Sequence, residues 1–427
     1  MADIDRVWNS IEEDYHYLDI IGKEGVFVIS ADSIKKYKEP RLVTKFDTSE
    51  DLPGIFKENH LSILPINRGT YIVSDIKTFL PLYEITHKPV GVAVSDDLTT
   101  ARITDISSES QAINYACGIG LIDKFVEEEG LRATLDGRQG SGVFDFNIDR
   151  HSGGSLNVKV DNAQIEIDKC LEGRESIVII EGKKDRIMPD FMERQLFYPA
   201  RMIKEISRKR IRPLFFSYNN GIIDLREYVI NDFKNYNSMY LVKQGRFYLY
   251  DKFLSITKEV LYFKISHTPV VKEPTEFPFP QANTFDRVIS LLEKLRQGEC
   301  TPIELTYPIG VTTTRQSNYY GDAACYLGLA CKKKGKYSIN KAGKELMSKM
   351  PYERILEYMT LILSHYIFRE VFLHWLMTGE LYDVNDILPL LVKDEDVQTL
   401  GENVYNRRAS TVKSWIKWII DNISLGN

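Results

Sequence analysis

Three charged residues near the middle of the chain have the types and the spacing needed for phosphodiester hydrolysis. Asp168 ends the segment Gln164–Asp168, and Glu181 and Lys183 end an apolar run that begins at Ile177. Residues two apart in a strand share a face, so Glu181 and Lys183 point the same way. Two carboxylates can hold a hard divalent cation, and an amine can orient water or offset phosphate charge. The pattern predicts a Mg²⁺ site held by Asp168 and Glu181, with Lys183 as the catalytic amine.

Two neighbouring antiparallel strands would bring these three side chains together. The connection Lys169–Glu175 is short enough to join such a pair, and the apolar run Ile177–Ile180 predicts a central, buried strand. Sites in α/β sheets form at the ends of buried strands. Because Glu-x-Lys on a strand is also common on solvated faces, the pattern alone does not distinguish a catalytic site from a solvated strand face. No proline precedes Asp168, so Glu166 and Glu172 stay open as the first acid, and Glu172 is kept as a second catalytic candidate.

The spacing Asp-x12-Glu-x-Lys is that of the PD-(D/E)XK nucleases. Glu181-Gly-Lys183 followed by Arg194-Gln-Leu-Phe-Tyr-Pro199 resembles a family of type II restriction enzymes in that superfamily. Further similar segments, spread over nearly the whole chain, are Glu39–Leu42, Leu61–Pro65, Arg68–Tyr71, Ser108–Ala112, Gly137-Arg138 and Arg315–Leu329. The resemblance implies cleavage of double-stranded DNA at a specific site, with Mg²⁺ (or Mn²⁺ in its place) and no nucleotide cofactor. A symmetric site favours a homodimer.

Several polar residues are candidates to support this site. Gln195 follows the catalytic strand and could orient a metal ligand or contact a phosphate, or be an ordinary polar residue of a helix. Glu109 lies on the preceding helix, where this nuclease class often supplies an extra carboxylate, although it also suits the helix dipole there. Arg138 and Ser141 lie in a glycine-rich segment, predicted as a turn, whose amides could meet phosphate.

The densest basic cluster follows the candidate site. A helix is predicted near Asp190–Tyr198, and if it continues to residue 208, Arg201, Lys204 and Arg208 fall on one face of it. Together with Arg194, these side chains are predicted to contact the DNA backbone. A solvated helix face is the alternative interpretation.

The C-terminal part has the element order of a winged helix-turn-helix domain. A helix over 285–295 is followed by Thr301-Pro302, which starts a second helix, and by a third helix with a polar start. A basic turn at 332–336 and another helix complete the pattern, although an all-helical packing domain would fit as well. The side chains predicted to contact DNA are Arg315, Gln316, Asn318, Tyr319, Lys333 and Arg407.

The predicted fold class is α/β (α+β) and multidomain, with a central mixed sheet. An N-terminal α+β module over 1–95 precedes a nuclease domain over 96–268, which opens with a helix over 107–129. A linker over 269–283 contains four prolines, which predicts a semi-rigid spacer, and the domain over 284–427 is mainly helical.

Composition sets limits on function and location. A net charge of −5 argues mildly against a nucleic-acid partner. However, a nuclease must bind a polyanion and also hold a divalent metal, and local basic clusters together with carboxylates fit these two needs. Five scattered cysteines without a CxxC pair predict a reducing cytoplasm, and no apolar stretch is long enough to span a membrane. Two rivals stay open, namely a structure-selective repair or recombination nuclease and a DNA-binding regulator with an inactive nuclease fold. The sequence contains none of the motifs that mark other classes of hydrolase.

Overall fold

A computed structural model describes residues 3–83, 85, 89–93, 98, 106, 108–184, 188–219, 221–250, 258–393, 397 and 402–422. No helix in these ranges is both long and apolar enough to cross a membrane. All five cysteines are free thiols.

The N-terminal region packs short helices against a three-stranded antiparallel sheet of order β1-β3-β2. Each strand combines an apolar core face with flanking turn residues. The region contains α1 (Asp3–Tyr15), α2 (Tyr17–Glu24), β1 (Phe27–Ser30), α3 (Ala31–Lys35), two 3₁₀ turns (Pro40–Leu42 and Ser49–Asp51), α4 (Gly54–Glu58), β2 (Ser62–Pro65) and β3 (Thr70–Ser74).

The central region is built on a seven-stranded mixed sheet of order β5-β14-β13-β12-β10-β9-β6, so the predicted mixed α/β class is confirmed. The pairs β10–β12 and β5–β14 are parallel and the others antiparallel. Its elements are β4 (Phe79–Pro81), β5 (Val90–Ala93), α5 (Glu109–Gly118), α6 (Leu121–Val126), β6 (Arg132–Gly140), β7 (Val143–Asp149), β8 (Ser155–Asp161), β9 (Gln164–Glu172), β10 (Ser176–Lys184), β11 (Asp190–Met192), α7 (Arg194–Ile206), β12 (Arg210–Asn219), β13 (Ile222–Ile230) and β14 (Met239–Tyr250).

Helices cover both faces of this sheet. Ile177 and Ile179 of β10 face a core shared with α7 and the N-terminal region, whereas Val178 and Ile180 face α5 and α6. The strand is therefore buried on both sides, as its apolar run predicted. Because α7 and the N-terminal helices pack into one core, the N-terminal and central regions share a single hydrophobic core.

Several sequence-based boundaries differ from the structure. The predicted helix over 107–129 is two helices, because Gly120 adopts a left-handed conformation (φ 70°); Ser107 lies outside the described residues. The predicted turn from Gly137 is strand β6 as far as Gly140. Strands β4 and β5 pair with β11 and β14, so the central region begins before residue 95; residues 94–97 lie outside the described part.

The C-terminal region is mainly helical, as predicted, with one two-stranded hairpin. Its elements are α8 (Lys258–His267), α9 (Phe285–Leu295), α10 (Pro302–Thr306), α11 (Thr314–Tyr326), β15 (Ala330–Lys333), β16 (Lys336–Ile339), α12 (Lys341–Met347), α13 (Pro351–Leu363), α14 (Tyr366–Thr378), α15 (Val384–Lys393) and α16 (Glu402–Asn422). Cys300, between α9 and α10, pairs with Tyr337 of β16 through two backbone hydrogen bonds of 3.0 and 2.8 Å.

The proline-rich segment 269–283 forms no helix or strand, as expected, but it is not a free spacer. Phe279 and Ala282 are buried in the C-terminal core, together with Leu261 and Ile265 of α8. Glu273 is buried and accepts hydrogen bonds from Tyr326 and His365. The segment therefore belongs to the C-terminal core.

The central sheet and the C-terminal helices touch at the β12–β13 turn. Gly221 has φ +78°, and a Cβ atom there would lie 2.0 Å from Cβ of Pro351, the first residue of α13. Nearby, Asn219 Nδ2 donates to Ser290 Oγ of α9 at 3.4 Å. Only a residue without a side chain allows this approach.

Candidate functional site

The antiparallel pair β9–β10 brings Asp168 and Glu181 to the same end of two neighbouring strands. The last paired residues are Lys169 and Ile180, so one further step places Asp168 opposite Glu181. The backbone amide of Gly182 donates to Asp168 Oδ2 at 2.8 Å, which ties the two strand ends together. The predicted strand adjacency is confirmed, but the predicted connection Lys169–Glu175 is wrong, because β9 continues to Glu172 and only residues 173–175 join the two strands.

A β-bulge lies next to Asp168. Along the β6–β9 pairing, two steps from Leu135 to Gly137 correspond to three steps from Cys170 to Ile167. Both Ile167 and Cys170 face the same core, which simple alternation would forbid. Bulges redirect side chains, and they are frequent beside active sites. Nothing in the sequence around Asp168 predicted this bulge.

Lys183 and Gln195 converge on the Glu181 carboxylate. Lys183 Nζ lies 2.8 Å from Glu181 Oε1, and Gln195 Nε2 donates to the same oxygen at 2.5 Å. Gln195 is the second residue of α7, which follows β10 and packs on the same face of the sheet. Glu181, Lys183 and Gln195 are thus held together by neighbouring elements. The sequence predicted this position for Lys183, and for Gln195 it was one of two interpretations.

Asp47, which sequence analysis missed, is a further carboxylate of the site. Its Oδ1 lies 3.4 Å from Lys183 Nζ and 3.5 Å from Gln195 Nε2. Its Oδ2 accepts a 2.6 Å hydrogen bond from the hydroxyl of Tyr307, which follows α10. Asp47 precedes the second 3₁₀ turn, far along the chain from the catalytic strands, and nothing in its local sequence marks it out.

These residues line a cleft of about 380 Å³. Its walls carry both acidic and basic groups, including Lys45, Glu109, Glu166 and Arg194. Glu166 is exposed and pairs with Lys45 at 3.4 Å, so it lies at the rim of the cleft. Glu109 lies in the first turn of α5, directly after the N-cap Ser108, and its carboxylate lines the cleft. This position is compatible with the extra site carboxylate, which was one of the two interpretations of Glu109.

Burial and mutual repulsion shift the charge states of the cleft. Burial raises the pKa of Glu181 to about 8, and the nearby Asp168 and Asp47 carboxylates add to this, while Lys183 opposes it. Burial also raises the pKa of Asp168 and Glu109. Although burial acts in the opposite direction, the Glu181, Asp47 and Glu109 carboxylates raise the pKa of Lys183. Carboxylates outnumber basic groups in the lining of the cleft, because five acidic side chains accompany Lys45, Lys183 and Arg194.

The oxygen donors suit a hard divalent cation, although they do not form a closed cage. Among the described residues, no three His, Cys, Asp or Glu side chains lie close enough together to hold an ion. Asp168 Oδ1 and Glu181 Oε2 accept no hydrogen bond from any residue that the structure describes. Gln195 Oε1 is buried without a partner. Two open carboxylate oxygens fit Mg²⁺, which usually keeps several waters and takes only one or two protein carboxylates.

Glu172, the second candidate for the first acid, does not reach this cleft. It pairs with Ile177 at the start of β10, whereas Glu181 lies near that strand's end. Its Oε1 accepts a 2.5 Å hydrogen bond from Lys209 Nζ. The candidacy of Glu172 is therefore wrong, because antiparallel pairing places the two glutamates at opposite ends of the strand pair.

Two residues predicted to contact DNA are buried. Ser141 has no exposed surface, and its hydroxyl donates to the carbonyl of Gly142. Arg201 is 7% exposed, and its guanidinium lies over the Phe144 ring, 5.1 Å from the centroid. Helix α7 ends at Ile206, so Arg208 is not on the predicted helical face. Periodicity could not show that the helix stops there or that Arg201 faces the core.

The other basic candidates of the central region are accessible to a partner. Arg138 is exposed on edge strand β6, and Arg208 is exposed before β12. Lys204 is exposed, with Nζ 5.4 Å from the Phe233 ring centroid. Arg194 lines the cleft and lies over Tyr198.

The polar start of α11 is only partly accessible. Arg315 is exposed and its Nε donates to Tyr319 Oη at 2.7 Å. Gln316 closes the N-terminal cap of the helix through Thr313, and Asn318 accepts from Lys332 and Tyr337. Lys333 of the hairpin and Arg407 of α16 are exposed. All four predicted recognition side chains of α11 thus have structural partners; Arg315 and Gln316 are exposed, whereas Asn318 and Tyr319 are half-buried.

Comparison with protein families gives three successive matches, each described only as a domain of unknown function. Residues 5–73 match DUF6996, residues 74–248 match DUF6997, and residues 287–424 match DUF7226. The first boundary agrees with the end of the N-terminal sheet at Ser74. No curated protein and no solved structure matches the chain.

Proposed function

We propose that this chain is a Mg²⁺-dependent, sequence-specific endonuclease of the PD-(D/E)XK type that cuts double-stranded DNA as a type II restriction enzyme. The observation that carries the proposal is the convergence of Asp168, Glu181 and Lys183 at the end of two central strands. The open carboxylate oxygens, the raised pKa of both acids and the unpartnered Gln195 oxygen support it.

Each residue has a role that follows from its position. Asp168 and Glu181 would hold the cation, and Mn²⁺ would fit the same oxygen donors. When bound, the cation supplies charge stabilisation to the phosphate and an acidified water. Lys183 offsets charge on the phosphate and orients the attacking water. Gln195 fixes the Glu181 carboxylate, which keeps its second oxygen directed to the cleft.

DNA recognition is proposed for the C-terminal region as a winged helix-turn-helix domain. The order α9, the Cys300 bridge, α10, α11 and the β15–β16 hairpin supports this assignment. Arg315 and Tyr319 would contact bases from α11, and Lys333 would contact phosphate from the hairpin. Arg138, Arg194, Lys204, Arg208 and Arg407 are the proposed backbone contacts. A homodimer would present two such domains to a symmetric site.

Plasmid digestion tests this function. The purified chain is incubated with supercoiled and linear plasmid in Mg²⁺, Mn²⁺ or EDTA, and the ends of any fragments are sequenced. Discrete fragments with one common end sequence, absent in EDTA, are expected. Cutting only at flaps or junctions would instead support a structure-selective nuclease. DNA binding in Ca²⁺ without cutting in either metal would support an inactive, DNA-binding role.

A further inference from the structure

The turn between α10 and α11 reaches the candidate active site. Tyr307 lies in that turn and is 55% exposed, yet its hydroxyl donates to Asp47 Oδ2. The other oxygen of Asp47 lies near Lys183 Nζ and Gln195 Nε2. A single carboxylate therefore connects the proposed recognition helices to the amine of the proposed catalytic set.

The backbone around Asp47 is held in place independently of that contact. The Asp47 carbonyl accepts from the amide of Met192 in β11 at 3.0 Å. The amide of Ser49 donates to Asp190 Oδ1 at 2.8 Å, and Asp51 caps the amide of Thr48 at 3.0 Å. Because β11 leads directly into α7, this segment moves with the helix that carries Gln195. Only the side chain of Asp47 is left to respond to Tyr307.

A groove continues from the cleft along the same boundary. It has a volume of about 380 Å³, and its walls come from both regions. Lys183 and Lys184 lie on the sheet side, and Lys294 and Tyr307 on the C-terminal side. A bound nucleic-acid strand in this groove would contact the Tyr307 turn and the catalytic amine together, since both line it.

We propose that Asp47 is a positioning residue for Lys183, and that the Tyr307 hydroxyl holds it in place, so that the seating of α10–α11 on DNA controls the catalytic amine. The inference rests on the proposed nuclease function and adds its regulation. Asp47 fixes the Lys183 ammonium in competition with Glu181, and Tyr307 fixes the Asp47 rotamer. Loss of the hydroxyl removes the contact at Oδ2 and so loosens that rotamer, which misplaces the amine without removing any catalytic group.

The test combines cleavage with a measurement that does not need cleavage. The variants are Asp47→Asn, Tyr307→Phe and the double variant, with Tyr366→Phe as the matched control, since Tyr366 is an exposed tyrosine of α14 in the same region. Single-turnover cutting in Mg²⁺ and DNA affinity in Ca²⁺ are measured for each. In parallel, the acetylation rate of Lys183 is measured by mass spectrometry against exposed Lys341, without DNA or metal.

We expect Asp47→Asn to slow cutting by about 10- to 100-fold and Tyr307→Phe by a smaller factor, because small misplacements of catalytic groups are costly. DNA affinity should change by a much smaller factor than cutting, because phenylalanine keeps the ring at position 307, and the double variant should be no slower than Asp47→Asn, since the two residues act in series. Lys183 should acetylate faster in both variants than in Tyr366→Phe.

The outcomes separate the two proposals. If the wild-type chain cuts no DNA, the nuclease function fails, and the acetylation rates alone decide whether Asp47 and Tyr307 position Lys183. If the wild type cuts but Tyr307→Phe matches Tyr366→Phe in both measurements, the coupling is overturned. Additive effects of the two substitutions on cutting would also overturn it, because they would show that Tyr307 does not act through Asp47.

Discussion

Two glutamate–lysine ion pairs lie at opposite ends of the β9–β10 strand pair. Glu172 with Lys209 has side chains 38% and 34% exposed, whereas Glu181 with Lys183 has side chains 7% and 11% exposed. The two nitrogen–oxygen distances, 2.5 and 2.8 Å, do not distinguish them. What differs is the surroundings, because the second pair is buried beside Asp168, Asp47 and Gln195. Close contact alone therefore does not mark a site, whereas burial with surplus carboxylates does.

The largest expected difference between the two pairs is in catalysis. Lys183→Ala should lower the single-turnover rate by on the order of 100- to 1000-fold, because one preorganised donor to the reacting phosphate is lost. DNA affinity measured by gel shift in Ca²⁺ should be retained. Lys209→Ala is the matched control and should cut at the wild-type rate. Unchanged cutting by Lys183→Ala would move the active site elsewhere.

The second difference is in the pH dependence of stability. Burial raises the pKa of Glu181 to about 8, so the folded protein binds more protons than the unfolded chain. This contribution to stability is complete below the unfolded pKa and is lost as the pH rises through the folded pKa. The metal-free protein should therefore melt at progressively lower temperature from ~pH 5 to pH 8.

Glu181→Gln removes the group that causes this trend. Its melting temperature should fall less steeply over the same pH range, although Asp168 and Glu109 still contribute in the same direction. Mg²⁺ at pH 8 should stabilise the wild type more than this variant, since a ligand of the cation is missing. Equal slopes in calorimetric scans of the two proteins would contradict the assignment.

The smallest effect is expected at the exposed pair. Glu172→Gln should change the free energy of unfolding by less than about 1 kcal/mol, because an exposed ion pair is screened by solvent. Its cutting rate should equal that of the wild type. A large loss of activity measured on plasmid would restore Glu172 as a candidate for the first acid and remove the contrast between the two ends.

Much of the central site could be predicted because its parts are close in sequence. A short connection forces an antiparallel pair, and the apolar run in β10 indicates a buried strand, so the adjacency of the two strands follows from pattern alone. Their register does not, because β9 continues past Asp168 to Glu172, and this continuation is what places Asp168 opposite Glu181. Gln195 follows because α7 begins soon after β10. The bulge at Asp168 could not be predicted, since register shifts depend on the neighbouring strand β6.

Residues from distant segments were beyond such reasoning. Asp47 lies 148 positions before Gln195 and 260 before Tyr307, and only the folded chain brings the three together. The opposite error occurred at Ser141 and Arg201, which have polar side chains and were predicted to be exposed. A sequence shows polarity, but the face that packs against Phe144 is decided by tertiary structure.

The contact between Gly221 and Pro351 sets how closely the C-terminal helices approach the sheet. Any side chain at position 221 would act as a wedge, since it would meet the ring of Pro351 rather than a flexible group. Because β10 and β12 run parallel and Lys184 pairs with Tyr218, position 221 lies at the same end of the sheet as Glu181 and Lys183. The wedge would widen the passage lined by Lys184 and Lys294, and by the coupling proposed above it would also loosen the hold of Tyr307 on Asp47.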